Sequence, residues 1–167
     1  MGTEENIVPG KILYLNVCFP QEDEAHDKYF VVVGTGTYPL LLKINTSKEL
    51  PEISQRLKES QFKVKKSVYP FLAYDSYLDC GTVWSTLITT DDIIEQLNRE
   101  PKRILGDVTD DHKNEIIRRT DKSRSIAPRH KRAIAEALSK KQARLLRLAF
   151  SLPLSFPSLR LPYPSRL

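Results

Sequence analysis

Asp75 is the residue whose surroundings most call for a chemical reason. It stands in Tyr69-Pro-Phe-Leu-Ala-Tyr-Asp-Ser-Tyr-Leu-Asp-Cys80, an aromatic-rich, alternating run, and a carboxylate inside such a run needs a partner or a wet cleft. His26 and Asp79 are further groups able to carry a proton, although a lone histidine in an acidic loop is more often surface decoration. Tyr69, Phe71, Tyr74, Tyr77 and Trp84 have the faces on which unpaired bases stack. At alternating spacing, such residues more often make core and sheet face. Gly34-Thr-Gly36 is a glycine pair with no helix after it, which reads as a hairpin turn and not a phosphate loop. Cys18 and Cys80 lie far apart, with no CxxC and no nearby histidine pair. Neither a disulfide framework nor a zinc site is indicated, and two buried thiols are expected.

With 167 residues, 40% hydrophobic and 28% charged, the chain has enough material for one core and hardly for two. No apolar run approaches the roughly 20 residues of a membrane span. The first nine residues have neither the basic flank nor the apolar stretch of a signal peptide, so a cytoplasmic protein with no membrane partner is expected. The net charge of +5 is unevenly spread: residues 1–85 carry 9 Lys+Arg against 11 Asp+Glu, and residues 86–167 carry 17 against 10. From Lys122 to Leu167, 11 basic residues meet one acid, Glu136. That excess is either a footprint for nucleic acid or a solvated tail.

The elements that must position these groups follow from periodicity and caps. Residues 11–19 predict a strand apolar on both faces, and Tyr29–Val33 and Leu40–Ile44 predict two more. Short connectors make the three an antiparallel meander, because a parallel return needs a long crossover. A short helix is expected over 49–60, a strand over 62–66, and two strands, 69–80 and 82–88, around Gly81. Thr90-Asp-Asp and Thr109-Asp-Asp each place a hydroxyl cap and two carboxylates at a helix start. The first of these helices stops before Pro101 and the second runs to about Thr120, with a short strand over 103–108 between them. Pro128 opens a third helix. Of the last 25 residues, 20 are Leu, Pro, Ser or Arg and none is acidic. Such a stretch reads as a disordered tail or as non-native sequence of the kind a frameshift yields. The expected architecture is mainly β with helices: a small SH3-like antiparallel barrel over 1–120, an appended C-terminal helix over 121–142, and the tail over 143–167.

The order of motifs resembles the PemK/MazF toxin family of type II toxin–antitoxin systems. Gly10-Lys-Ile-Leu-Tyr-Leu-Asn-Val17 resembles its first strand, His26-Asp-Lys-Tyr-Phe-Val-Val-Val-Gly34 its second, and Leu41-Leu-Lys-Ile-Asn-Thr-Ser47 its third. Tyr74-Asp-Ser-Tyr-Leu-Asp79 and Arg103-Ile-Leu-Gly-Asp-Val-Thr-Asp-Asp111 resemble two later segments, so the likeness covers about residues 10–120. It implies a homodimer that cuts single-stranded RNA with no metal or cofactor and is held in check by an antitoxin protein. The matching catalytic positions are Lys28, Thr46, Ser47 and Asp75, with His26, Tyr74 and Tyr77 as the expected RNA contacts. Such cleavage needs a base, an acid and positive charge on the phosphorane. The chain departs from the pattern where Lys28 stands for an arginine and where Tyr77 and Leu78 occupy a second arginine's place. Lysine brings charge without the bidentate fork. The same residues also have plain readings: Lys28 as a solvated strand start, Thr46 and Ser47 as turn formers. The alternative function is therefore a catalytically inactive SH3-like module that binds nucleic acid or protein. A third is a DNA-binding appendage over Lys122–Arg132.

Overall fold

The computed structural model describes residues 4–46 and 55–139. The fold is mixed α/β, with a curled, half-barrel sheet of six antiparallel strands and helices packed on both faces. In chain order the elements are β1 (Lys11–Val17), β2 (His26–Gly34), β3 (Leu40–Asn45), α1 (Gln55–Ser60), β4 (Gln61–Val64), β5 (Ser76–Asp79), α2 (Thr90–Arg99), β6 (Ile104–Asp107), α3 (Asp110–Lys122) and α4 (Pro128–Leu138). The expected meander is present as β1-β2-β3. The full order is β4-β5-β3-β2-β1-β6, so among the described residues the last strand pairs with the first.

The two-sided apolar pattern of β1 is used on both sides. Ile12, with Val31, Leu42, Ile44 and Leu78, packs beneath Ile116 of α3 and Ile134 and Leu138 of α4. Leu13, Leu15 and Val17, with Phe30, Val32 and Leu41, pack beneath Ile93 and Leu97 of α2. Burying such side chains contributes about 1.5–3 kcal/mol each, which accounts for helices of this length holding their places. We call the α3/α4 side the inner face and the α2 side the outer face. Helix α4 is thus part of the core, and the proposed tail over 143–167 lies outside the described residues.

The edge of β1 beyond β6 is completed by side chains. β6 pairs only with Lys11 to Leu13, leaving the backbone of Asn16 without a strand on that side. The Gln96 amide fills the gap as a peptide group would: its Oε1 accepts the Asn16 N–H at 2.8 Å, and its Nε2 donates to the Asn16 carbonyl at 2.8 Å. Arg103 likewise donates to the Tyr14 carbonyl at 3.1 Å and to Asp27 at 2.8 Å.

Several expectations are corrected. Residues 82–88 form no strand; only Trp84 bridges to Leu41, and its ring packs edge-on against Phe19 at 4.8 Å. Of the expected strand 69–80 only Ser76–Asp79 pairs. Before it, the chain turns on itself, with Tyr69 N–H donating to the Lys65 carbonyl and Leu72 N–H to that of Tyr69, and Pro70 has no ladder donor to offer. The cap of α2 is Thr89, whose hydroxyl accepts the Asp92 N–H, while the Thr90 hydroxyl donates to the Gly36 carbonyl at 2.6 Å and ties α2 to the β2–β3 turn. Thr109 caps α3 as expected, accepting the His112 N–H. Cys80 is buried and burial pushes its thiol up, but Cys18 is exposed.

Candidate functional site

Helix α2 covers only part of the outer face. On the rest, the register sets polar side chains in rows across the strands. Lys28 is paired with Leu15, and Tyr77 lies between Asn45 on one side and Lys63 on the other. Tyr29 faces Ile44, and one residue further along that register Lys28 faces Asn45. Side chains alternate across a strand, so Lys28, Asn45, Tyr77 and Lys63 make one outer-face row. The neighbouring row runs from Phe30 through its partner Lys43 to Asp79, which faces Gln61. His26, two residues before Lys28 on the same face, is exposed, with its ring 3.8 Å from the Glu22 carboxylate.

The electrostatics separate the two carboxylates. Asp75 accepts the Lys66 N–H at 2.9 Å and pairs with Lys63 at 3.0 Å. Those contacts, the backbone bond first, hold its carboxyl below the usual range. It stays ionised and is a weak base. Asp79 behaves in the opposite way: burial pushes its carboxyl up, against the Gly81 N–H, Lys43 and the Thr82 N–H, which favour the charged form. The Lys43 ammonium also lies 5.2 Å from the centre of the Phe19 ring, which holds that charge over the sheet.

The structure brings His26, Lys28 and Tyr77 to one face, and Asp75 joins them through Lys63. Lys28 and Tyr77 are two strands apart, roughly 10 Å at the usual interstrand spacing, so Lys28 and Asp75 are not a contact pair. Tyr74 belongs elsewhere. Its hydroxyl donates to the Thr46 carbonyl at 2.5 Å, and it neighbours Tyr29, whose phenol is pushed up by burial first and then by Tyr14 and Tyr74. Tyr29 stacks at 4.7 Å on Tyr14 and at 5.6 Å on Phe71, on the inner face. Tyr74 and Tyr77 therefore do not share a surface. Ser47 lies outside the described residues.

Lys43 and Lys63 complete the rows and were absent from the sequence-derived set. The signal for Lys43 was present: Leu41, Lys43 and Asn45 share a parity, as do Asp75, Tyr77 and Asp79. Among the described residues, no group of three or more His, Cys, Asp or Glu side chains is placed to hold a metal ion, and no helix is long and apolar enough to cross a membrane. No family model matches the chain, and no curated protein matches it.

Proposed function

We propose that the protein is a toxin-like endoribonuclease that cuts single-stranded RNA without a metal, on the uncovered part of the outer sheet face. The observation that carries this reading is the cross-strand row of Lys28, Asn45, Tyr77 and Lys63, bordered by Lys43 and Asp79. A row of cations, an amide and an aromatic ring on one flat face suits a strand whose phosphates need charge and whose bases need a stacking surface. In the reaction, the 2′-oxygen loses its proton and bonds to the adjacent phosphorus. The bond to the 5′-oxygen breaks, and that oxygen takes up a proton. Lys28 and Lys43 supply positive charge to the phosphorane. Proton transfer falls to Asp79, whose raised pKa suits it better than the ionised Asp75. Asp75 positions Lys63. An SH3-like barrel, a homodimer and an inhibiting antitoxin that covers this face belong to the same proposal.

The test is incubation of the full chain with mixed-sequence single-stranded RNA in EDTA, beside Lys28→Ala, Asp79→Asn and Asp75→Asn. Discrete cleavage lost in Lys28→Ala and Asp79→Asn supports the reading. RNA bound but left intact by a folded protein overturns it in favour of a second reading, a non-catalytic nucleic-acid module. The specific observation on that side is the tethered Asp75, whose interactions are all spent on Lys63 and the Lys66 backbone.

A further inference from the structure

A polar concavity of about 1040 Å³ opens where the C-terminal turn of α3 meets α1 and the turn after β5. Among the described residues, five cations line it: Lys58, Arg118, Arg119, Lys122 and Arg124. Not all of that charge can meet a ligand. Arg119 donates to the carbonyls of Glu59 at 2.7 Å and Gln61 at 2.8 Å and is spent on the fold. Arg118 is shared with Glu115, whose carboxyl Arg118 and Arg119 hold down at about 2. Lys58, Lys122 and Arg124 are exposed, and among the described residues none of the three forms an ion pair. They face two carboxylates of the wall, Glu59 and Asp79, so the free charge is positive.

The wall is also preformed and hydroxyl-rich. Ser125 donates to the Gly81 carbonyl at 2.7 Å and lies 3.0 Å from the Ser123 hydroxyl, which fixes the loop after α3 against the turn after β5. Among the described residues, every one that lines the cleft is polar, charged or glycine. A peptide would find no apolar pocket for an anchoring side chain, whereas phosphate oxygens find cations and hydroxyl donors. Asp79 lines this cleft and also belongs to a row of the outer face, so the two surfaces share that residue.

We propose that the cleft binds the phosphates of a single RNA strand as it passes beyond the sheet face, with Lys122 and Arg124 as its main contacts and Lys58 opposite them. This rests on the reading of the protein as one that acts on single-stranded RNA. The test measures binding of the full chain to a labelled single strand of 2′-O-methyl RNA, which lacks the attacking hydroxyl, across a salt series. Replacing both Lys122→Ala and Arg124→Ala, exposed positions outside the core, should weaken binding roughly tenfold and reduce the salt slope by about 1.4, two phosphate contacts at ~0.7 each. Lys122→Arg should leave the slope unchanged. Unmodified RNA is assayed for cleavage in parallel. Binding that falls with Lys28→Ala and Tyr77→Ala but not with the double variant overturns the cleft and leaves the proposed function standing. Binding that depends on Lys122 and Arg124, with RNA never cut, supports the cleft and sinks the cleavage. Displacement of the RNA by polyglutamate at matched charge overturns the cleft in favour of an acidic protein segment, and no binding by the unaltered chain overturns both.

Discussion

Gln96→Ala should destabilise the protein by about 2 kcal/mol, although the side chain lies on a surface helix and touches no core residue through its amide. The two hydrogen bonds it makes to Asn16, both at 2.8 Å, are each worth about 1 kcal/mol net. For a chain of this size that lowers the melting temperature by roughly 6 °C. Gln96→Glu separates geometry from chemistry. At neutral pH the carboxylate still accepts the Asn16 N–H but sets a second oxygen against the Asn16 carbonyl. The loss should therefore match or exceed that of alanine. A protonated carboxyl can donate to that carbonyl, so the folded state raises the pKa of the introduced group above its unfolded value of about 4.3. The sign follows: the stabilisation is fully present below that value and is lost as pH rises through the raised folded pKa. Urea denaturation of the three proteins at neutral and acidic pH reads both effects. A Gln96→Ala variant within about 0.5 kcal/mol of the parent would refute the reasoning, since water would then serve the β1 edge as well as the amide does.

Three further outcomes are expected. Thr89→Ala should cost about 1 kcal/mol through the lost α2 cap, and Thr90→Ala a comparable amount through the lost tether to Gly36 rather than through helicity; denaturation and circular dichroism of the pair distinguish the causes. Burial pulls the His112 pKa down, so its contribution to stability is complete above its ordinary value and is lost as pH falls through the lowered one. Replacing it by His112→Gln should flatten the stability profile in that window, measured by denaturation at several pH values. A thiol reagent should label Cys18 in the native protein and Cys80 only on unfolding, with mass spectrometry reporting the sites.

Local structure was legible wherever the signal was local. The two-sided apolar run of β1, the hydroxyl-acid starts of α2 and α3, and Pro128 at the head of α4 each carry their cause within a few residues. The Thr89 cap shows the limit. Thr89 and Thr90 both offer hydroxyls, and only the tertiary contact to Gly36 decides which one caps. The aromatic run 69–80 misled for a related reason: alternation expresses a preference for strand, and Pro70 with the turn to Lys65 overrode it for all but Ser76–Asp79. The candidate site was least legible. Its rows join β2, β3, β5 and β4, and the insertion of β5 between β3 and β4 follows from packing of the whole sheet. The odd spacing of Tyr74 and Tyr77, three residues apart, already sets them on opposite faces of an alternating run, but nothing along the chain says which face α2 leaves uncovered. The cleft at α3 was visible in sequence only as excess charge after Lys122.

The pairing of β6 with β1 sets a timetable for synthesis. Lys11 to Leu13 find their partners at Ile104 to Asp107, so about 90 residues must be added before that edge can close. At ordinary elongation rates this takes roughly 5–20 s. Throughout that interval β1, which is apolar on both faces, can pair on one side only, with β2. Gln96 and Arg103, which complete the same edge, arrive just ahead of β6. A nascent chain arrested before them presents an unpaired apolar strand to its surroundings. Truncation within the stretch from Asn45 to Gln96 should therefore give aggregation and not a smaller folded unit.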